Sequence, residues 1–292
     1  MALQRLEHIL GVLFHGSVSV ARNTFLSPVF LLAAAVILIL ERMIPADPDQ
    51  PAFSLGLTYD SLWLIAGLLF QATVVVAYVN GLTSLYQKYF SYLTLAPLRQ
   101  VPAGIRFVLA VFLSDLLAWF QHWLKHKVPW FWQIHAIHHS QPQINQFTDL
   151  RFHFLEYIIS RPIVLIPLMM LSIEMPTVAA FAFFATWQIR FYHANVRTDL
   201  GFLRYIFVTP QSHRIHHSIE ARHRDMNFGV MFSFWDRLFR TQCEAAGEYP
   251  KTGIEERSFP LEKKMDLRSF IAVLLRQLFY PFQAIGRSLK HD

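Results

Sequence analysis

Three windows of this chain place histidines where a helix would turn them to one side: His122 and His126 in HWLKH, His135, His138 and His139 in HAIHH, and His213, His216 and His217 in HRIHH. Spacings of three and four residues bring side chains onto one helix face, so each window can aim its imidazoles at one point. These eight come from only 14 histidines in 292 residues. Imidazoles with an ordinary pKa of about 6.5 repel one another once protonated, and packing them together makes sense chiefly around a cation. Eight exceed the four ligands of a closed zinc site, so two ions sharing the set is the economical arrangement. Neutral imidazole suits iron, zinc, copper and nickel, and ligand type alone leaves that choice open. The single cysteine, Cys243, excludes an internal disulfide, a thiolate zinc site and an iron–sulfur cluster held by this chain alone.

The elements that must position these residues read as helices in a greasy chain, with 54% hydrophobic, 15% aromatic and only 16% charged residues. That composition points to an integral membrane protein. After a polar start (1–23) that includes His8 and His15, both expected to be ordinary structural histidines, Phe25 to Leu40 is almost purely apolar. It reads as a span slightly under the roughly 20 residues that cross hydrocarbon. It lies too late, and lacks a small-residue cleavage site, for a signal peptide. Pro45, Pro48 and Pro51 break helix in the loop that follows, and Leu62 to Val79 is a second span interrupted by Gln71, so 25–79 forms a membrane hairpin within an N-terminal unit of 1–104.

A third helix, Ile105 to about Lys127, carries polar residues along one side. With Asp115 at zero and about 100° per residue, Trp119 falls near 40°, His122 near 340° and His126 near 20°. An ionisable group at a bilayer centre costs roughly 2.5–3.5 kcal/mol and seeks a partner inside protein, which for Asp115 is expected to be a histidine. Two short apolar stretches, Tyr157 to Leu171 and Thr177 to Ile189, are joined by SIEMP. Whether tilted spans or a hairpin within one leaflet (157–190), they return the chain to the side it left, so the early and late histidines can meet. Residues 190–268 read as a water-facing part of a catalytic unit spanning 105–268, and 269–292 as an amphipathic tail that can lie on the membrane. The fold class is therefore all-α, with multi-pass membrane helices and a histidine-rich metal domain.

The formal charge of +6 is scattered rather than run together, which fits anionic lipid headgroups and not nucleic acid. Lys88, Arg99 and Arg106 against Asp47, Asp49 and Asp60 put the start of the third helix on the cytoplasmic side, so a full crossing would carry its histidine end outside. The arginines of 190–268 put the histidines on the cytoplasmic side, which requires either an extra, partial crossing within Gly81 to Leu98 or a third helix that does not cross. Trp119, Trp123, Trp130, Phe131 and Trp132 surround the histidine windows, as an interfacial belt or as the mouth of a lipid site.

Together with TDLRFHFLE (Thr148 to Glu156), YHANV (Tyr192 to Val196), TPQSHRIHHS and DMNFGVMFSFWDRLFRT (Asp225 to Thr241), the ordered set HxxxH, HxxHH and HxxHH resembles the fatty acid hydroxylase and sterol desaturase superfamily. The resemblance covers roughly Asp115 to Thr241. It implies a membrane-bound monooxygenase-type oxidoreductase of lipid metabolism with a histidine-held di-iron centre, dioxygen as co-substrate and two electrons from a separate donor, ferredoxin-like or a small haem carrier. Such enzymes hydroxylate or desaturate a C–H bond of a fatty acyl chain, sterol or related lipid. It also implies a cytosol-facing metal domain set on a membrane hairpin. The eight window histidines map to its ligands, and His193 to a frequent additional one. His153 is placed between ligand and supporting residue. Asp115, Asp149, Glu156, Asp225 and Asn227 are candidates to hold a ligand's second ring N–H. Arg197 stands where some acyl hydroxylases have another histidine, and Arg240 where the family often has glycine.

The chain itself contains no Gly-rich dinucleotide fingerprint, so electrons must come from outside. Two other classes use the same residues. A metal transporter or sensor would need polar residues through several spans, and a silent scaffold with a structural metal pair would be marked by a lost ligand.

Overall fold

The computed structural model describes residues 28–288 except 96, 97, 99, 174, 256, 257 and 265. The polar start with His8 and His15, the beginning of the first span and the last four residues lie outside the described residues.

Ten α-helices, joined by 3-10 and π-helical turns, make up the described structure: α1 (Pro28–Met43), α2 (Leu55–Phe70), α3 (Val76–Tyr89), α4 (Ala103–Lys127), α5 (Pro129–His139), α6 (Phe154–Met170), α7 (Met175–His193), α8 (Pro210–His216), α9 (Phe234–Leu238) and α10 (Leu267–Ser288). No strand occurs among the described residues, and three isolated bridges, such as Phe207 to Phe232, pin loops together.

The second apolar stretch is longer than its hydropathy suggests. It starts at Leu55, where the Ser54 hydroxyl accepts the Leu57 N–H at 2.9 Å, and runs through a π-helical turn, Gln71–Val75, into α3. Helix α4 packs on α5, α6 and α7, and α10 packs on α5. Among the described residues, α4 alone is long and apolar enough to cross a membrane by length and composition. Only 22% of its apolar window is buried, and large apolar side chains on α1, α2, α3 and α4 are exposed.

Two buried polar clusters tie the N-terminal helices to the histidine elements. Asp60 on α2 accepts bonds from Gln141, Asn145, Thr148 and Arg151. Arg151 also reaches Glu262 and the carbonyl of Ile137, so one guanidinium links α2, the end of α5 and the approach to α10. Glu41 on α1 accepts the backbone N–H groups of Gln146 and Asn195, the second of which follows α7 directly. Removing one partner of such a buried pair costs about 3–5 kcal/mol, so these contacts hold the ends of α5 and α7 in place.

The tail predicted to be amphipathic is helix α10. One side packs on α5, with Tyr280 donating to Gln133, while Ile271, Leu275, Phe279 and Phe282 form an exposed apolar stripe.

Candidate metal centre

Helix α4 ends at Val128, whose extended backbone is what the residue before a proline prefers, and Pro129 opens α5 at its first position. This one-residue joint folds the histidines of α5 back over those of α4. Across from them, α7 ends at His193, and α8 begins with a capping box in which Thr209 accepts the Ser212 N–H. Seven residues of helix then carry His213 and His216, with His217 closing it.

All nine of these histidines converge, in two groups: His122, His126, His135, His139 and His216, and His138, His193, His213 and His217. Within each group one ring nitrogen per residue lies within 4.8 Å of every other. The groups abut, with His139 stacked on His217 at 4.3 Å between ring centroids. The eight histidines of the three windows and His193 are thus brought together from four helices.

The hydrogen bonds settle which nitrogen is available. Nδ1 of His122 lies 2.9 Å from the Phe228 carbonyl, Nδ1 of His216 2.8 Å from that of Met226, and Nδ1 of His193 2.7 Å from that of Ile189. A carbonyl only accepts, so each of these rings carries its proton on Nδ1 and its lone pair on Nε2. Nδ1–H of His135 donates to Glu156 at 3.1 Å. Nε2 of His126, His135, His139 and His216 is buried with no partner among the described residues. Each such orphan costs about 1–3 kcal/mol, and four together approach the whole stability of a domain. In the second group Nε2 of His193 has one lone pair, yet Nε2 of His138 and of His213 crowd it at 3.2 and 2.9 Å. A cation inside each group resolves both conflicts, and the donor set fits an imidazole-bound metal pair.

Burial, followed by the mutual repulsion of neighbouring imidazoles, holds the pKa values of His138, His139 and His213 well below the ordinary range; for His216 and His217 the same two causes act. In His135 burial is again the main cause, and the Lys125 ammonium adds to it. These rings are therefore neutral at pH 7 and offer lone pairs.

The supporting acids divide. Glu156 holds His135 and is itself paired with buried Lys125 at 2.6 Å. Asp225 lies 3.6 Å from His126 Nδ1 and 2.7 Å from Lys127, and these contacts pull its carboxyl down to about 2. Asp115 does not meet a histidine. It sits two turns before His122 and accepts the N–H groups of Met231 and Phe232 and the indole N–H of Trp235. Asp149 pairs with Arg190, and Asn227 bonds the Ser212 carbonyl and the Cys243 N–H. His153 is also outside both groups. Its Nδ1 caps α6 by accepting the Leu155 N–H, and its Nε2–H donates to the Leu278 carbonyl of α10.

Several contributors carry no sequence signal. The carbonyls of Met226, Phe228 and Ile189 are backbone atoms. Asp236 positions one of them by accepting the Phe228 and Gly229 N–H groups while holding the Trp119 indole. Phe152 stacks on His138 at 4.6 Å, and Tyr192 lies 4.2 Å from His213. A cavity of about 420 Å³ opens beside the five-histidine group, with His126, His139 and His216 at its wall, Trp132 and Ile254 beside them and Arg224 at its rim.

Among the described residues a helical scaffold buries two abutting groups of neutral imidazoles, an arrangement that could hold metal ions. Residues 107–241 match the fatty acid hydroxylase family. The chain is 26% identical to ornithine lipid hydroxylase of Rhizobium tropici over 73% of its own length and 65% of that protein. It is 26% identical to alkylglycerol monooxygenase of Caenorhabditis elegans over 50% of its length, and 30% identical to the human alkylglycerol monooxygenase over 42%. It spans only 29% and 27% of those two relatives. No solved structure matches the chain.

Proposed function

We propose that this chain is a membrane-bound, dioxygen-dependent di-iron oxidoreductase that hydroxylates or desaturates a C–H bond of a lipid. The observation that carries the reading is the pair of buried imidazole groups whose Nε2 atoms lack partners or crowd one another. The relatives named as lipid hydroxylase and alkylglycerol monooxygenase support a lipid substrate, and a fatty acyl chain, a sterol or a related lipid fits the same chemistry.

Two irons held by His122, His126, His135, His139 and His216 and by His138, His193, His213 and His217 would supply the reduction of dioxygen and the C–H cleavage that side chains cannot perform. Hydroxylation consumes one dioxygen, two electrons and two protons per alcohol and releases one water; the electrons come from a separate carrier, ferredoxin-like or a small haem protein. The chain's own task is orientation. Bonds from Nδ1 to the carbonyls of Phe228, Met226 and Ile189 and to Glu156 fix the tautomer and tilt of four rings. Trp132 and Ile254 give the 420 Å³ cavity an apolar wall against which a short length of lipid can lie beside the five-histidine group. A multi-pass arrangement with the histidine domain facing the cytosol is supported by the exposed apolar faces of α1 to α4 and by the arginines of 190–268.

The test is a lipid comparison. Cells expressing the chain should accumulate a lipid species heavier by one oxygen, or lighter by two hydrogens, than its precursor, and cells expressing a His138→Ala, His216→Ala double variant should not. Equal product in both, or full activity in metal-stripped protein, contradicts the reading.

A further inference from the structure

Residues 201–240 read as part of a water-facing domain, yet they carry a cluster of exposed apolar side chains. The 3-10 turn Gly201–Tyr205 presents Phe202, 74% exposed, with Leu203 and Tyr205. Beside it, α9 and the turn after it present Leu238, 64% exposed, and Phe239. The two pieces form one surface, because the Ser233 hydroxyl donates to the Arg204 carbonyl and the Arg237 guanidinium lies 5.0 Å over the Tyr205 ring.

This surface continues the exposed face of α4. Phe112 of α4 stacks on Phe232 at 5.3 Å and meets Phe234 at 6.0 Å, and Trp119 stacks on Phe239 at 4.4 Å. On the same helix Ile105, Val108, Leu109 and Phe120 are exposed. Phe112 and Trp119 thus join the span to the element that carries Leu238 and Phe239.

Cations rim the patch. Arg204, paired with Asp199, and Arg237, paired with Glu244, flank Tyr205, and Arg240 is exposed at the tip of the turn. Arg240 adopts φ of +60°, a conformation that glycine takes without penalty and a long side chain does not. Aromatic and aliphatic side chains beside arginines, placed where an apolar span leaves off, are the composition of a bilayer interface with anionic headgroups.

We infer that the surface formed by residues 201–206 and 234–240 docks into the anionic leaflet that α4 enters, with Phe202 and Leu238 among acyl chains and Arg237 and Arg240 among headgroups. The inference rests on α4 being a membrane span. It sets the depth of the candidate metal centre, since His122 lies only three residues, about 4.5 Å of helix, beyond Trp119.

The test uses the full chain in nanodiscs of phosphatidylcholine and phosphatidylglycerol. In a Cys243→Ser background, single cysteines replace Leu238, Phe107 of α4 or half-exposed Glu220 and carry an environment-sensitive fluorophore. Lipids with a doxyl group on the acyl chain should quench the Leu238→Cys and Phe107→Cys labels several-fold more than aqueous iodide does, and the Glu220→Cys label should behave oppositely. Adding Arg237→Glu and Arg240→Glu should reduce lipid quenching at position 238 and leave position 107 unchanged. Iodide quenching at 238 equal to that at 220, with 107 still in lipid, overturns the inference alone. Iodide quenching at both 238 and 107 overturns the membrane reading beneath it, while the lipid product test above is unaffected. Protection of 238 from both quenchers would assign the patch to a second copy or another protein, and Phe202→Cys serves as a second probe should Leu238→Cys fold poorly.

Discussion

Glu156 is the side chain whose replacement most sharply separates structural support from metal support. Its carboxylate meets the Lys125 ammonium at 2.6 Å with one oxygen and His135 Nδ1–H at 3.1 Å with the other, and both charged groups are buried. Glu156→Ala leaves a buried ammonium uncompensated, a loss of about 3–5 kcal/mol from a total of roughly 5–15. Glu156→Leu combined with Lys125→Met removes both charges and keeps the volume, so most of that stability should return. The hydrogen bond to His135 does not return, and without it the ring is free to turn. Loss of such an outer contact typically weakens metal binding by about 10–100-fold, which is roughly 1.4–2.8 kcal/mol. The assay pairs unfolding of the metal-free protein in detergent with iron release to a chelator. The single variant should fail both, and the double variant should recover stability while still releasing iron more readily. A double variant that also recovers wild-type iron retention would refute the role given to the His135 contact and leave Glu156 as a charge partner alone.

Other perturbations have equally definite outcomes. Burial holds His135, His138, His139, His213, His216 and His217 well below their unfolded pKa of about 6.5, so the unfolded chain binds more protons in that window. Stability of the metal-free protein should therefore be full above about pH 6.5 and fall as the pH drops towards the depressed folded values, with metal released over the same range, as denaturant titrations across pH would show. Asp225→Asn removes the charge beside His126 but keeps a residue that tolerates the observed φ of +62°, so iron retention should drop a few-fold while stability changes by under about 1 kcal/mol. In Gly229→Ala the new Cβ would lie 2.8 Å from Val208 Cγ2 and 3.0 Å from Asp236 Oδ2. That crowding should cost about 1–3 kcal/mol in thermal unfolding and disturb the Asp236 contacts that place the Phe228 carbonyl.

Eight of the histidines that come together were readable because helical spacing puts them on common faces, His193 only through the family resemblance, and the structure draws all nine to two points. Glu156 and Asp225 were named from the chain together with Asp115, Asp149 and Asn227, and only the three-dimensional contacts separate the two that meet a histidine from the three that do not. Asp115 shows the limit. Its place on the stripe of α4 is real, but the groups that reach it are backbone N–H donors from a loop 116 residues away, and no periodicity reports a long-range loop. His153 stands in a motif beside the site yet serves to cap α6 and hold α10. Lys125 would ordinarily face solvent, and only the three-dimensional meeting with Glu156 makes its burial affordable. The apolar patch on 201–206 and 234–240 escaped hydropathy reading because it is assembled from two short pieces, each flanked by arginine.

Whether the two imidazole groups hold a pair of irons is measured most directly by the metal content of protein purified in detergent from cells supplied with iron. About two irons per chain, lost together in the His138→Ala, His216→Ala double variant, is the result expected. Protein that carries no transition metal under those conditions, in a folded state with its histidines intact, would contradict it.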